Sequence, residues 1–528
     1  MRFVLILILG VTLLMSGCIK VGPDFTTPPA PVADSWLEPE SKQLSIKAGP
    51  HEEWWTVFND PVLNKLVEDA YQQNLNLQIA GLRILEARAQ LGIATGNLYP
   101  QQQQLFGGAA AVGGSRNAAN SAGGDLHYKD LSSSMDAAWE LDFWGKFRRG
   151  VEAADAQYLA ATADYEDVMV TLTAEVARVY ILIRTNEERI RLAEESVAIQ
   201  KRSLEIAENR FDGGLVTELD VQQARTLLAN TSASIPRFEL EYHQAKNALS
   251  VLLGQTPSDL SSILNSSGGA VGIPQAPVEV AVGVPADLLR RRPDVRRAEL
   301  QAAAQSSLIG VAKADLFPHF TLIGSIGLQS SKSSLTREGN SSFSDLFSSD
   351  SMTYFVGPSL TWDILNYGRI KNQVRVQDAR LQQLVINYQN TVLRAAQETE
   401  DAMIGFLKRQ QESLFLVDAV TASKRSVDIS MLQYGEGLTG YQRVLDAQRN
   451  LSVDQDSLAR VQGSVVLNLV DMYKALGGGW QTMSDREFVK PAVQQEMSER
   501  TDWGGLLEEP KKATDDTSKD SGWLWPDW

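Results

Sequence analysis

The side chains that most often perform catalysis or bind metals are few and scattered in this sequence. The four histidines, His51, His127, His243 and His319, have no spacing that would bring them together as metal ligands. Cys18 is the only cysteine, so neither a thiolate cluster nor an intrachain disulfide can form. No glycine motif of the kind that cradles a phosphate is present. The sequence therefore predicts no enzyme, no metal site and no cofactor.

The thiol of Cys18 is the one reactive group in a defined context. Met1-Arg2 is followed by a short apolar stretch and then by Ser16-Gly17-Cys18, which is typical of a secretory signal. A lone cysteine after Ser-Gly resembles a bacterial lipoprotein cleavage site, which predicts diacylglycerol and palmitate on Cys18, although Met15 departs from the usual Leu. Ile19 after the cysteine resembles an outer-membrane address. The alternative is an ordinary exported protein in which Cys18 is incidental.

The charge and the apolar content restrict the possible partners. The net charge is −16, and removal of Arg2 with the signal makes it about −17 by subtraction, which argues against nucleic acid. After the signal, no uninterrupted apolar run approaches the roughly 20 residues of a membrane helix. If the mature protein crosses a membrane, we expect it to do so with strands.

The chain contains an internal two-fold repeat that spans a strand-to-helix junction. Residues 139–147 align with residues 362–370, a shift of 223 positions (362 − 139). The same ungapped register carries residues 211–215 onto residues 434–438. One register held over that distance indicates a duplicated unit with one geometry.

Each repeat predicts a long helical hairpin. The spans 148–210 and 369–433 lack proline and are rich in Ala, Glu, Gln, Arg and Leu, which favours helix. Each span ends at glycines that predict a chain reversal. Returning helices are predicted over 217–253 and 440–476, with a kink at Pro236 in the first. A soluble coiled-coil rod would show the same periodicity, so it stays an alternative at this point.

Strands are predicted immediately before both long helices. Residues 131–143 and their repeat copy, 352–364, alternate between apolar and polar side chains, with Phe355 as the exception. Trp139 and Trp362 share one register on the apolar face. An aromatic residue at the end of an outward apolar face predicts a membrane-interface girdle.

Partner strands and loops complete two predicted hairpins. Residues 320–328 form a clear partner strand, and the Gln-rich segment after Pro100 forms a weaker one. The Gly/Ser/Asn-rich segments 107–124 and 330–349 lie between the partners and predict exposed loops.

Two hairpins supply four strands per chain, which is too few to close a membrane sheet. An unpaired edge in hydrocarbon costs several kcal/mol for each unsatisfied group, so a sheet there must close. The smallest common barrels have about eight strands. The chain must therefore pool strands with copies of itself, and three copies would supply twelve (3 × 4). The alternative is a structural periplasmic coiled-coil lipoprotein with ordinary half-buried hairpins.

A series of short motifs occurs in a fixed order over about residues 18–480. They are Cys18-Ile19-Lys20-Val21-Gly22-Pro23-Asp24-Phe25, Trp54-Trp55, Phe58-Asn59-Asp60-Pro61, Asn97-Leu98-Tyr99-Pro100, Leu288-Leu289-Arg290-Arg291-Arg292-Pro293-Asp294-Val295, Ala314-Asp315-Leu316-Phe317-Pro318, Gly437-Leu438-Thr439 and Val444-Leu445-Asp446-Ala447-Gln448-Arg449. Together they resemble the TolC-type outer-membrane efflux channels, in the OprM-like/NodT lipoprotein branch. Members of that branch are outer membrane factors of resistance-nodulation-division tripartite pumps.

The resemblance implies an architecture, a location and a function. The implied fold is an α+β membrane protein: a homotrimer with a twelve-stranded outer-membrane β-barrel continuous with a long periplasmic α-helical barrel. The implied partners are a periplasmic membrane-fusion adaptor protein, an inner-membrane resistance-nodulation-division pump and outer-membrane lipid. The implied function is passive conduction of drugs or other small toxic compounds to the exterior. A channel for type I protein secretion or for metal-ion export is the alternative within this class.

The resemblance also implies a gate at the periplasmic helix tips. Asp446 and Arg449 match the family's tip residues, and Tyr434 matches a tip aromatic used in holding the closed state. In three copies Asp446 would form a carboxylate ring, whose repulsion requires cations or partners such as Arg449 on closure. Gln442 stands where related members carry a constricting leucine, so a weaker apolar gate is expected. Asp220 begins the equivalent helix of the first repeat.

These expectations divide the chain into successive segments. They are a signal peptide at 1–17, a lipidated extended segment at 18–59, repeat 1 at 60–254 with a β-hairpin at about 100–143 and a helical hairpin at 148–253, a linker at 255–284, repeat 2 at 285–477 with a β-hairpin at about 318–366 and a helical hairpin at 369–476, and a partly disordered tail at 478–528.

Overall fold

The computed structural model describes most of the chain between residues 20 and 507. The described ranges are 20–33, 35–37, 44–45, 52–117, 119, 126–265, 272–277, 280–281, 290–333, 343–481 and 487–507. The predicted signal peptide, Cys18, His51 and the tryptophan-rich end of the tail lie outside the described residues.

The described residues form helices, strands and short 3₁₀ turns along the whole chain. The helices are α1 (Pro61–Gln73), α2 (Leu75–Gly96), α3 (Lys146–Asp212), α4 (Glu218–Ser232), α5 (Ser234–Leu252), α6 (Ser261–Leu264), α7 (Pro293–Ala314), α8 (Arg369–Gly435), α9 (Tyr441–Ala475) and α10 (Pro491–Arg500). The strands are β1 (Leu44–Ser45), β2 (Gln102–Gly113), β3 (His127–Glu140), β4 (Val280–Ala281), β5 (His319–Ser333) and β6 (Met352–Thr361). The 3₁₀ turns are Trp54–Phe58, Phe343–Phe347, Ser349–Ser351 and Gly504–Leu507.

The two repeats form matching helical hairpins. Helices α3 and α8 each contain 67 residues and begin 223 positions apart (369 − 146), in the register predicted from the sequence. Gly145 and Gly368 precede them with φ angles of 75° and 83°, a left-handed conformation that glycine adopts without strain. Within the described part of the chain, no helix is both long and apolar enough to cross a bilayer.

The returning helix differs between the repeats. In repeat 2, α9 runs unbroken, whereas repeat 1 divides into α4 and α5 at Ala233. Pro236 explains the break, because a proline within a helix lacks an amide hydrogen and crowds the carbonyl four residues earlier, here that of Ser232. The interruption is limited to Ala233, which keeps helical dihedral angles (φ −68°, ψ −17°), in agreement with the predicted kink. The aligned position in α9 is Ala459, which is buried and continues the helix.

The strands form one antiparallel sheet of four in the order β2-β3-β5-β6. The two predicted hairpins are confirmed, and β3 pairs with β5 to join them. The predicted loops are too long, because residues 107–113 continue β2 and residues 330–333 continue β5. Glycine, alanine and serine there can pair across the sheet as readily as they can turn, and β3 offers a continuous row of partners.

One face of the sheet is apolar along all four strands. Directly opposed residues share a face, and Met135 is opposed by Leu105 on one side and by Ile326 on the other. Ile326 is opposed in turn by Tyr354. All four side chains are exposed by more than half in the single chain. The sheet thus presents a broad apolar surface, and β2 and β6 lie at its two edges.

Two of the sequence motifs hold helix ends in the main core. The buried carboxylate of Asp60 accepts a hydrogen bond from the amide of Val62 (2.9 Å), which caps α1, and another from the hydroxyl of Tyr180. The guanidinium of Arg292 donates to the carbonyl of Ala475 (2.8 Å) at the end of α9. Each motif joins segments that are more than 100 positions apart in the sequence.

The described residues 20–33 and 35–37 of the N-terminal segment are extended and lie along the body, whereas Trp54–Phe58 forms a 3₁₀ turn. The hydroxyl of Thr27 donates to Glu299 of α7 (2.5 Å), and the amide of Gln389 of α8 donates to the carbonyl of Pro29 (3.1 Å). Further on, the amide of Leu37 donates to Glu400 (2.9 Å). The segment therefore follows α7 and α8 away from the sheet.

Part of the C-terminal tail is ordered on the protein body. Helix α10 contributes Met497 to an apolar cluster with Leu85 of α2 and Val489. The guanidinium of Arg88 donates to the carbonyl of Leu506 (2.7 Å). The tail beyond residue 507 lies outside the described residues.

Candidate functional site

The turns between the long helices and their returning helices lie far from the sheet. At about 1.5 Å per residue, a helix of 67 residues spans roughly 100 Å. The tip turns contain Gly214 and Gly437, with φ angles of 69° and 75°, which allow the reversal. All five residues that the sequence analysis assigned to a gate lie near these two tips.

An apolar cluster joins the two tips within one chain. It contains Ala207 of α3, Val221, Ala224 and Leu227 of α4, Tyr434 of α8, and Tyr441, Val444 and Leu445 of α9. It is separate from the main core around α1 and the middle of α3. The end of one hairpin is thus held against the start of the other by its own small core.

Tyr434 is the centre of this cluster. Its side chain is 1 % exposed, and its ring contacts Tyr441 edge-on with the centroids 5.2 Å apart. Its hydroxyl is buried close to the carboxylate of Asp220 in α4. Burial and then the charge of Asp220 raise the pKa of Tyr434 to about 12, so the phenol stays neutral at physiological pH. The hydroxyl of Tyr441 lies 3.1 Å from that of Ser203 in α3.

Arg210 connects the two hairpins, and sequence reasoning missed it. Its guanidinium carbon lies 4.8 Å from the centroid of the Tyr434 ring, and the same group donates to the carbonyls of Tyr434 and Gly435, the latter at 3.1 Å. The aligned residue in repeat 2 is Gln433 (210 + 223). Arg210 was missed because the charged gate candidates were all sought on the returning helices. The difference between Arg210 and Gln433 at aligned positions of the two repeats is the sequence signal that could have identified it.

Three of the predicted gate residues lie together on an exposed face of α9. Gln442, Asp446 and Arg449 are spaced by four and three residues and are all exposed. The side-chain amide of Gln442 donates to Asp446 (3.1 Å). Arg449 forms no ion pair among the described residues, so within one chain the partner of Asp446 is Gln442. Asp220 lies apart from them, half-buried in the first turn of α4.

The predicted interface tryptophans lie at the helical end of the sheet. Trp139 and Trp362 are 36 % and 53 % exposed. Their indole N–H groups donate to the carbonyls of Leu98 and Leu316, each at 3.1 Å, in the loops that precede β2 and β5. Both indole rings are therefore held by equivalent hydrogen bonds in the two repeats.

The first described residues are clamped at the same level. The amide of Val21 donates to the carbonyl of Trp144 (3.0 Å), and Lys20 pairs with Glu152 near the start of α3. Arg149 is 3 % exposed and donates to the carbonyl of Val21 (3.2 Å). Lys20, the first described residue, is therefore held close to the junction between sheet and helices.

The potential metal ligands are dispersed among the described residues. Among them, no three His, Cys, Asp or Glu side chains are close enough together to hold a metal ion. His319 contacts Glu140 (2.7 Å) at the base of the sheet, and His127 and His243 lie in separate elements.

Three comparisons with known proteins give one consistent relationship. The family model described as outer membrane efflux protein matches residues 66–255 and 284–478, one match for each repeat. The chain is 30% identical to the probable outer membrane lipoprotein SilC of Salmonella typhimurium over 88% of this chain and 97% of that protein. It is 29% identical to the toluene efflux pump outer membrane protein TtgC of Pseudomonas putida over 90% of this chain and 96% of that protein. The structure of the outer-membrane channel OprN aligns with a TM-score of 0.80 at 32% identity, covering 87% of this chain and 99% of that chain.

Proposed function

We propose, since the chain belongs to the outer membrane efflux protein family, that it conducts drugs or other small toxic compounds passively to the cell exterior. It is the outer-membrane channel component of a tripartite efflux system. The energy for transport would come from partner proteins, because the sequence contains no glycine motif of the kind that binds a nucleotide phosphate.

The observation that carries the proposal is a four-stranded sheet with an apolar face and two unpaired edge strands, which leads directly into two matched helical hairpins. Edge groups in hydrocarbon must be paired. We infer a homotrimer in which β2 of one chain pairs with β6 of the next, giving twelve strands. The hairpins would then enclose a periplasmic helical barrel. Trp139 and Trp362 would lie at the interface between the outer membrane and the periplasm.

The proposed gate lies at the helix tips. Asp446 accepts a hydrogen bond from Gln442 and would form a ring of carboxylates with the Asp446 side chains of the other two chains. Arg449 lies about one turn further along α9. Tyr434 and Asp220 lie behind this face. The small cluster around Tyr434 would hold the closed state, because it fixes the position of α9 relative to α3.

The position of the N-terminal segment supports lipidation of Cys18. Its tether at Trp144 lies at the sheet–helix junction, where lipid attached to Cys18 would reach the inner leaflet of the outer membrane. Two or more acyl chains anchor stably, whereas one alone binds reversibly.

The proposed partners are a periplasmic membrane-fusion adaptor and an inner-membrane resistance-nodulation-division pump. The relative TtgC is named for toluene efflux, and another relative, OpmQ, for pyoverdine export. Membership of the family therefore leaves the transported compound open, and type I secretion or metal-ion export remains the alternative.

Two measurements test the proposal together. Purified protein in mild detergent should have the mass of three chains and should produce stepwise conductance in planar bilayers. Deletion of the gene should increase susceptibility to antibiotics, solvents or dyes, and the intact gene should restore resistance. A lone subunit in detergent, without conductance, would refute the channel.

A further inference from the structure

The break between α4 and α5 borders a cavity of about 280 Å³. Its walls come from α3, α4, α5 and α9, and Ser234 at the start of α5 is one of the lining residues. The cause of the break, Pro236, has no counterpart in repeat 2, where the aligned residue is Ala459. The cavity is thus tied to a feature that only the first repeat has.

The charged lining of this cavity is mainly cationic. It contains four arginines, Arg189, Arg237, Arg449 and Arg460, and one carboxylate, Asp456. The whole chain, in contrast, has a net charge of −16. A local excess of guanidinium groups on an acidic protein creates a distinct site for an anion.

The carboxylates near the cavity neutralise only part of this charge. One oxygen of Asp456 pairs with Arg189 (2.7 Å) and the other with Arg460 (3.1 Å). Arg189 also pairs with Glu241 (2.8 Å). Among the described residues, Arg237 and Arg449 form no ion pair. Two exposed guanidiniums therefore remain available at the cavity.

The buried ring of Phe238 contacts two of the guanidinium groups. The guanidinium carbons of Arg189 and Arg237 lie 4.0 Å and 5.0 Å from the centroid of the Phe238 ring. Such cation–π contacts hold the charged groups in place. Leu192 and Val453 are partly exposed and supply apolar surface to the cavity, whereas Phe238 is buried beneath the guanidinium groups.

The cavity opens along the same face of α9 as the proposed gate. Asp446, Arg449, Val453 and Arg460 are exposed and follow one another at spacings of three, four and seven residues. A molecule in the cavity would therefore lie within a few helical turns of Asp446.

We propose that this cavity binds an anionic amphiphile, a small molecule in which an oxyanion such as a sulfonate or carboxylate is attached to an apolar ring system. The oxyanion would accept hydrogen bonds from Arg237 and Arg449, because the forked N–H donors of a guanidinium can bind two oxygens of one anion. The apolar ring would pack on Leu192 and Val453, which line the cavity and are partly exposed. Binding itself does not depend on conduction; only the role of the cavity as a site passed during transport rests on the proposed function.

Calorimetry on the full-length protein in a neutral detergent tests the site, with naphthalene-2-sulfonate as the probe. We expect saturable binding of one molecule per chain that weakens as salt is raised. The uncharged analogue 2-naphthol should bind about tenfold more weakly or worse, because hydrogen bonds to charged groups are the stronger ones.

The variant Arg237→Gln should raise the Kd of the sulfonate about tenfold. Arg449→Gln is a second, independent variant with the same expectation, which keeps the test open if the first fails to fold, as judged by helical circular dichroism. The matched control is Arg425→Gln, which removes an exposed arginine of α8 that does not line the cavity. It should leave the Kd unchanged.

The proposal is overturned if the sulfonate binds no better than 2-naphthol, or if the arginine variants and the control bind alike. Absence of binding in a well-folded trimer would also overturn it, and would indicate that side chains of a neighbouring copy fill the cavity. A protein that binds the sulfonate but produces no conductance would refute the proposed channel while leaving this site intact.

Discussion

Replacement of Arg210 by glutamine should loosen the contact between the two helix tips. Glutamine is the residue that the second repeat carries at the aligned position 433, so the change keeps a helix-compatible polar side chain there. The variant loses the cation over the Tyr434 ring and the charged hydrogen bonds to the carbonyls of Tyr434 and Gly435. Arg210→Gln therefore removes the only described charged link between the end of α3 and the end of α8.

The free energy that the variant loses can be estimated from these contacts. A cation–π contact at a partly exposed site contributes about 0.5–1 kcal/mol. Hydrogen bonds to a charged donor contribute about 1.5–3 kcal/mol, which solvent reduces because Arg210 is only half-buried. We take a loss of about 2 kcal/mol per chain, which shifts a closed–open equilibrium by roughly thirtyfold.

Single-channel recording in planar bilayers measures the effect. If the tip cluster holds the gate closed, Arg210→Gln should show longer openings and a higher mean conductance than the unmodified protein. Arg210→Lys keeps the charge but not the forked geometry, and should be intermediate. The control Arg202→Gln removes an exposed arginine eight positions earlier on α3 and should behave as the unmodified protein. Unchanged open times and conductance in a correctly assembled Arg210→Gln protein would refute the role of this contact in the gate.

Three further predictions concern other parts of the chain. Asp446→Ala should raise single-channel conductance and weaken block by cations, because it removes the proposed carboxylate ring; unchanged values would remove Asp446 from the gate. Cys18→Ser should abolish metabolic labelling with palmitate, and persistent labelling would place the lipid elsewhere. Asp60→Ala should lower the free energy of unfolding by about 2–4 kcal/mol, because it removes a helix cap and leaves the buried hydroxyl of Tyr180 without its acceptor. A thermal unfolding curve equal to that of the unmodified protein would contradict this last expectation.

The lengths and order of the main elements could be predicted because they follow local rules. The period of apolar residues and the absence of proline predicted both long helices to within two residues at each end. Alternation predicted β3 and β6 and their common apolar face, although both strands end three residues earlier than predicted, at Glu140 and Thr361. Local patterns were less reliable where residues are small, and the strands extend into segments that were predicted as loops.

The site was predicted only in part, for a related reason. The sequence placed five residues at the tips, and the structure brings Gln442 and Asp446 together and buries Tyr434. Their roles in gating stay predictions. Arg210 was missed, because its contact with Tyr434 joins positions that are 224 apart in the chain.

The sequence by itself determined that this protein has two copies of one long helical hairpin and too few strands to close a membrane sheet. Periodicity is a property of neighbouring residues, and the repeat register is found by aligning the sequence with itself. Only the tertiary structure decided which charges meet. Arg189 pairs with Asp456, and Arg210 donates to the carbonyl of Tyr434, because separate helices pack side by side. That packing depends on the shapes and volumes of side chains that are distant in the sequence. The cavity beside the α4–α5 break has the same origin, since a proline predicts an interruption but not what will line it.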